Sequence, residues 1–186
     1  MNSNIRLAAD ADFAVIAAIT NHYIRTTAIH FGTEDVTTDE LLASWREGQS
    51  NHPWLVTTTA HGSVVGYAKA GVWRTRAAYR WIAETGIYIA PDHCGHGLGG
   101  PLYRRLLAVM RAQGFHAAIG GIALPNDASV RLHERLGFTH AGTVPQAGHK
   151  FGRWHDVGFW HLLLHPARAA QPLLPPMAAF AAVPEP

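Results

Sequence analysis

The 186-residue chain has a single cysteine, Cys94. One thiol forms no internal disulfide, so a reducing compartment, the cytoplasm, is expected. Charge is also scarce: 15 % of residues are charged, and 15 Lys+Arg nearly cancel 13 Asp+Glu. No Lys/Arg block exists, which argues against a nucleic-acid partner. No run approaches the ~20 apolar residues of a membrane helix. Met1 to Arg6 lacks the basic start and apolar run of a signal peptide. No membrane partner is therefore expected. No internal repeat is visible.

Apolar residues, by contrast, reach 48 %. That excludes disorder and suffices for one core. The length fits one domain, expected over residues 1–164. From His165 onward the chain carries Pro166, Pro172, Pro175, Pro176, Pro184 and Pro186. Proline at that density continues neither a helix nor a central strand, so residues 165–186 are expected to form a flexible or extended tail. Leu173, Leu174, Met177 and Phe180 give it the means to dock.

Periodicity places the elements. Ile5-Arg6-Leu7 reads as a strand, and Asp10 and Asp12 as N-caps of a helix with Phe13, Ile16, Ile19 and Tyr23 on one face. Thr37 to Glu40 starts a second helix. Trp54–Thr59 and Val64–Ala68 predict a hairpin across His61-Gly62-Ser63. Ala83–Ile89 is a strand whose Gly86 suggests a bulge. A helix follows from Gly99 to Gln113, then a strand over Ala117–Ile122. Asn126-Asp127 caps a helix ending at Gly137, and strands close the chain at Thr139–Val144 and Val157–Leu164. The pattern predicts an α/β (α+β) fold, a mixed sheet with helices on both faces.

Between the Ala83–Ile89 strand and the next helix lies Pro91-Asp92-His93-Cys94-Gly95-His96-Gly97-Leu98-Gly99-Gly100. Alternating glycines lack Cβ and tolerate positive φ, so backbone N–H groups can converge at a helix N-terminus, where a pyrophosphate is the natural ligand. No Lys-Ser/Thr follows, which excludes a Walker A loop. His93, Cys94 and His96 form a tight cluster, but nothing completes a four-ligand set, and no metal is expected. Glu84 stands out as a carboxylate on an apolar strand. Such a group is costly to bury unless paired or used, although an edge strand facing solvent is the alternative.

The loop resembles motif A of the GNAT superfamily of N-acetyltransferases, and Asn126 to Phe138 resembles its Asn-helix-Gly-Phe segment. The match is closer to the phosphinothricin N-acetyltransferase branch. It is carried by Asn21-His22-Tyr23-Ile24, Pro53-Trp54-Leu55-Val56, Trp73, Ala78-Tyr79, Ala83-Glu84, Leu124-Pro125-Asn126-Asp127, His133-Glu134 and Trp154 to Trp160. It runs from about Ile5 to Leu164. The resemblance implies an acyl-CoA N-acyltransferase fold of about seven strands and about four helices. It implies acetyl-CoA as co-substrate, a small amino acid of phosphinothricin or methionine sulfoximine type as acceptor, and a homodimer.

Site residues follow from the same resemblance. Glu84 is expected as general base, with His133 as second base or as acid to the leaving thiolate. Ile87, Tyr88 and Ile89 are expected to offer backbone to the pantetheine. Gly95, His96, Gly97, Leu98, Gly99 and Gly100 are expected to wrap the pyrophosphate, with Asn126 and Ser129 also at the cofactor. Phe31, Arg74, Arg76 and Tyr79 are expected to form the acceptor pocket. Another amine acceptor, or an acetyl-CoA-binding module without turnover, are the alternatives. One position departs from the family pattern: Cys94 stands where Gln or Arg is usual, which implies weaker cofactor binding.

Overall fold

β1 (Asn4–Leu7) leads through a short turn to α1 (Phe13–Thr26), and α2 (Thr38–Gly48) follows. In this computed structural model, residues 4–165 and 169–184 are described. The next elements are β2 (Trp54–Thr58), β3 (Val64–Val72), β4 (Ile82–Ile89), α3 (Gly99–Gln113), β5 (Ala117–Ala123) and α4 (Asp127–Arg135). Then come β6 (Thr139–Lys150), β7 (Arg153–Leu163) and α5 (Pro176–Ala182). The seven strands form one sheet in the order β1-β2-β3-β4-β5-β7-β6. Every neighbouring pair is antiparallel except β4 and β5, which α3 joins as a crossover.

Side chains alternate across the sheet and build two cores. On one face Leu55, Ala68, Ala70, Ala83 and Ala118 meet Leu102, Tyr103, Leu106 and Met110 of α3. On the other, Val56 and Tyr67 meet Phe13, Ile16 and Ile19 of α1. Each fully buried large apolar side chain contributes roughly 1.5–3 kcal/mol. β2 is covered on both sides, so all five of its residues are buried.

Local details explain where sequence and structure part. Asp12 does not cap α1; its carboxylate accepts from Ala9 N at 2.8 Å and pairs with Arg6 at 2.6 and 2.7 Å. α2 does start on a reciprocal cap, Thr37 with Glu40. Gly86 makes no bulge, because β3 and β4 keep register from Gly66–Ile89 to Val72–Ala83. β6 runs on to Lys150, well past the expected end at Val144, with two irregularities that let it follow β7.

The Pro-rich segment is the largest difference. Residues 166–168, 185 and 186 lie outside the described residues. Where described, the segment lies along the body. Gln171 O accepts from Trp81 Nε1 at 2.7 Å, and Leu174 N donates to Gln113 O at 2.9 Å. Pro176 opens α5 at its first turn, the one helical site where a missing N–H costs nothing. Arg105, buried in α3, donates to Phe180 O at 3.2 Å, to Val183 O at 2.8 Å and to Pro184 O, and its guanidinium lies 4.3 Å from the Phe180 ring. The fifth helix thus comes from a stretch read as tail.

Charge-assisted hydrogen bonds from Arg105 to three carbonyls hold this segment. Arg105→Met is expected to lower unfolding stability by about 2 kcal/mol in urea titration. It should also let a protease cut within residues 169–184 before the body opens. Unchanged stability with a resistant segment would contradict the anchoring role.

Candidate active site

The site originates in how β4 and β5 part. They pair from Ile82–Ala117 to Thr85–Gly120 and no further. β4 continues along β3 to Ile89, and β5 continues along β7 to Ala123. A wedge therefore opens between residues 86–89 and 121–123, with unpaired backbone on β4 for an added strand-like ligand.

The glycine loop closes the wide end. Gly95 and Gly97 both have φ of 79°, and an added Cβ at Gly95, Gly97 or Gly100 would meet nothing within 4 Å. Among the described residues, the N–H groups of Gly95, His96, Gly97 and Leu98 have no protein acceptor. They stand at the N-terminus of α3, where the helix dipole favours an anion. His96 Nδ1 lies 2.9 Å from Cys94 O. Cys94 is exposed, 3.5 Å from Tyr23 OH. Tyr23 OH also donates to Ile89 O at 2.6 Å, so one lone pair of that carbonyl is already used.

Asn126 caps α4, accepting from Ser129 N at 3.2 Å through Oδ1. Its Nδ2 has no protein acceptor among the described residues, so capping and ligand binding are compatible. Ile87 and Ile89 turn their side chains to the α3 core. Tyr88 points to the opposite face, against Tyr67 and Tyr23, and desolvation there pushes its hydroxyl pKa up to about 12.

Glu84 and His133 lie on opposite faces of the sheet. Glu84 is on the α1 side, close above Gly121, where a Cβ would sit 3.2 Å from its carboxylate oxygen. Phe159 flanks Gly121 and packs edge-on against Trp73, with ring centres 5.5 Å apart. Partial desolvation raises the Glu84 pKa, while the charges of Arg74 and Lys69 pull against that rise.

His133 is buried on the α3 side, and a Cβ on Gly120 would lie 2.4 Å from its Nε2. Its Nδ1 faces Ser129 O at 2.8 Å, so Nδ1 carries a hydrogen and Nε2 accepts from Tyr103 OH at 2.9 Å. Tyr103 OH in turn lies 2.6 Å from Thr85 Oγ1, which is 3.0 Å from Ile119 O. A neutral imidazole leaves this chain one hydrogen short of its contacts. A proton arriving at Nε2 completes it, although burial lowers the His133 pKa and favours the neutral ring.

The expected acceptor set is divided. Arg74, Arg76 and Tyr79 line a cavity of about 600 Å³ together with Val72, Ile82 and residues 170–173. The Arg74 guanidinium stacks 4.0 Å from the Trp73 ring. Phe31 is not in that cavity. It packs over Gly148, with its ring centre 6.2 Å from that of His155, because Lys150 binds its loop through Ile24 O and His30 O at 2.6 Å each. His155 Nε2 bonds Lys150 O at 3.1 Å, while Asp156 serves Gln146 N instead of orienting His155. Sequence reasoning missed Gly120, Gly121, Phe159 and Lys69. The double glycine in the apolar run Ala117–Ala123 was the available signal.

Comparison with known proteins bears on the family and the fold. The family described as Acetyltransferase (GNAT) matches residues 16–138. A phosphinothricin N-acetyltransferase of Streptomyces viridochromogenes is 48 % identical over 84 % of this chain and 85 % of its own. An L-methionine sulfoximine/L-methionine sulfone acetyltransferase of Salmonella typhimurium is 43 % identical over 86 % of this chain and 94 % of its own. Among solved structures, a Sinorhizobium meliloti phosphinothricin acetyltransferase in complex with acetyl-CoA superposes with TM-score 0.88 at 31 % identity, over 92 % of this chain and 94 % of that one.

The balance at Glu84 is measurable. In a ¹³C NMR titration its carboxyl midpoint is expected above the ordinary glutamate value of about 4.3. Arg74→Met removes a cation that favours the charged form, so the midpoint should rise further. A wild-type midpoint at or below the ordinary value would contradict the desolvated site.

Proposed function

The chain belongs to the GNAT acetyltransferase family and is an acetyl-CoA-dependent N-acetyltransferase; we propose that Glu84 and His133 are its catalytic residues and that its acceptor is an amino acid of phosphinothricin or methionine sulfoximine type. The observation that carries this reading is Glu84 at the apex of the β4–β5 wedge, its pKa raised by desolvation against the charges of Arg74 and Lys69.

Acetyl-CoA supplies the acetyl group as a thioester. The residues present fit it: free N–H groups at Gly95, His96, Gly97 and Leu98, joined by Gly99 and Gly100, suit a pyrophosphate. The open edge at Ile87, Tyr88 and Ile89 suits an amide chain, with Asn126 Nδ2 and Ser129 across the wedge. Backbone groups dominate this set, so Cys94 in place of the usual side chain weakens binding without abolishing it.

Glu84 takes a proton from the acceptor's ammonium, directly or through water, so that the nitrogen presents a lone pair. Its raised pKa suits that task near neutrality. His133, neutral with its hydrogen on Nδ1, takes up a proton at Nε2 as second base, which completes the Tyr103–Thr85 chain on the far side of the wedge. Arg74 and Arg76 suit an acceptor's side-chain anion, with Tyr79 beside them and Phe31 at the Lys150 end.

Residues 1–164 form the catalytic unit in this reading, with 165–186 an addition to it. Val144, Phe151 and Trp154 are exposed on the β6–β7 hairpin, and β6 is an edge strand, which supports a homodimer through that side. No helix among the described residues is long and apolar enough to cross a membrane. The single cysteine supports a cytoplasmic setting.

Thiol release from acetyl-CoA across phosphinothricin, methionine sulfoximine, plain amino acids and a peptide N-terminus tests the assignment. The first two should give the highest kcat/KM. Glu84→Gln should lower kcat by about 10²- to 10⁴-fold with little change in acetyl-CoA KM. Release without acceptor preference, or near-normal turnover by Glu84→Gln and His133→Ala, would refute it.

A further inference from the structure

The protein has two lysines, and both are recessed. Lys150 is satisfied, donating to Ile24 O and His30 O at 2.6 Å each. Lys69 is not. Its ammonium lies 4.7 Å from the centre of the Trp54 ring and has no hydrogen-bond or ion-pair partner among the described residues. Other cations find one: Arg6 with Asp12, Arg25 with Asp35, and Arg105 on three carbonyls. A desolvated ammonium without an acceptor is costly. Burial accordingly lowers the Lys69 pKa, opposed by the charge of Glu84.

Register fixes where Lys69 stands. It lies opposite Trp54 on β2 and Gly86 on β4, while Gly71 lies opposite Glu84. Lys69 and Glu84 are therefore diagonal neighbours on one face, roughly 7–8 Å apart along the sheet. The floor around them is glycine. A Cβ on Gly71 would meet nothing within 4 Å, and one on Gly86 only Tyr88 at 3.6 Å. The result is a shallow trough floored by Gly71, Gly86 and Gly121. Glu84 is at its centre, the Trp73–Phe159 pair lies to one side, and Lys69 stands at its end. His30 and Tyr88 are the other titratable groups facing this end, and His30 feels the charge of Lys69.

We propose that Lys69 recognises the α-carboxylate of the acceptor while Glu84 receives a proton from its amine. In an α-amino acid these two groups flank a single carbon, so an amine held at Glu84 carries its carboxylate into the trough. Lys69 is the unpaired cation on that floor, and Gly86 leaves the path clear. Arg74, on the loop beyond β3, remains for a side-chain anion. The trough thereby favours free amino acids over amines of the same shape that lack the carboxylate. The inference rests on the amino-acid acceptor reading and adds to it the group that selects the acid.

Kinetics with methionine sulfone and its α-carboxamide separate the two charge states of one acceptor. The wild type should prefer the acid. Lys69→Met should raise KM for the acid by about 10- to 100-fold, the loss of one charge-assisted bond. KM for the carboxamide and for acetyl-CoA should stay within about twofold, and Lys69→Arg should restore part of the preference for the acid. An equal effect of Lys69→Met on acid and carboxamide, or none on either, overturns the role of Lys69 alone. A wild type that acetylates neither compound, while acetylating other amines, overturns the amino-acid reading and this role with it.

Discussion

Everything in this site depends on where one parallel strand pair stops. β4 and β5 share hydrogen bonds only as far as Thr85 and Gly120. Each then follows its other neighbour, β3 or β7, because those ladders are longer and antiparallel. The wedge between them is held open by pairing on both outer sides. It costs no orphaned core, since α3 covers one face and α1 the other. The unsatisfied backbone it leaves, with the free N–H groups of the glycine loop, is a requirement for a partner strand and an anion. The same opening brings the two faces within reach of each other.

Gly120 and Gly121 make that geometry chemically useful. Consecutive residues point to opposite faces of a strand. Gly120 makes room for the His133 ring and Gly121 for the Glu84 carboxylate. One dipeptide thus admits two titratable groups, in different environments, to the two sides of one opening. Glu84 is partly desolvated but shares its face with Lys69 and Arg74, which limit the rise in its pKa. His133 is enclosed, with its tautomer fixed by Ser129 O and its other nitrogen in a hydroxyl chain. In the proposed reaction the carboxylate takes a proton, and the imidazole chain has one vacancy for a hydrogen.

Much of this was legible in the sequence, for definite reasons. The glycine loop between an apolar strand and an amphipathic helix carries its own backbone logic, and Asn126 before a helix is a cap in any context. Glu84 is conspicuous because a carboxylate interrupts an apolar strand. The rest depends on neighbours that local pattern does not contain. Ala117–Ala123 reads as an ordinary apolar strand, and its glycines gain meaning only once Glu84 and His133 are seen against them. Lys69 falls just past the expected Val64–Ala68 strand, and nothing local shows that β2 and β4 enclose it. Arg105 looks like a surface residue of α3 until residues 180–184 offer it three carbonyls. Phe31 departs from the arginine loop because Lys150, 119 residues later in the chain, ties its segment to the β6–β7 hairpin.

In the proposed reaction Gly121 leaves room for the Glu84 carboxylate, so a methyl at that position displaces the base while the glycine loop stays as it is. Pre-steady-state and steady-state kinetics of Gly121→Ala measure that displacement. A methyl there meets the Glu84 carboxylate, and a misplacement of ~1 Å costs about 10²-fold in rate. A fall in kcat of that order is expected, with acetyl-CoA affinity at the wild-type level. A Gly121→Ala enzyme that binds acetyl-CoA normally and turns over at the wild-type rate would contradict it.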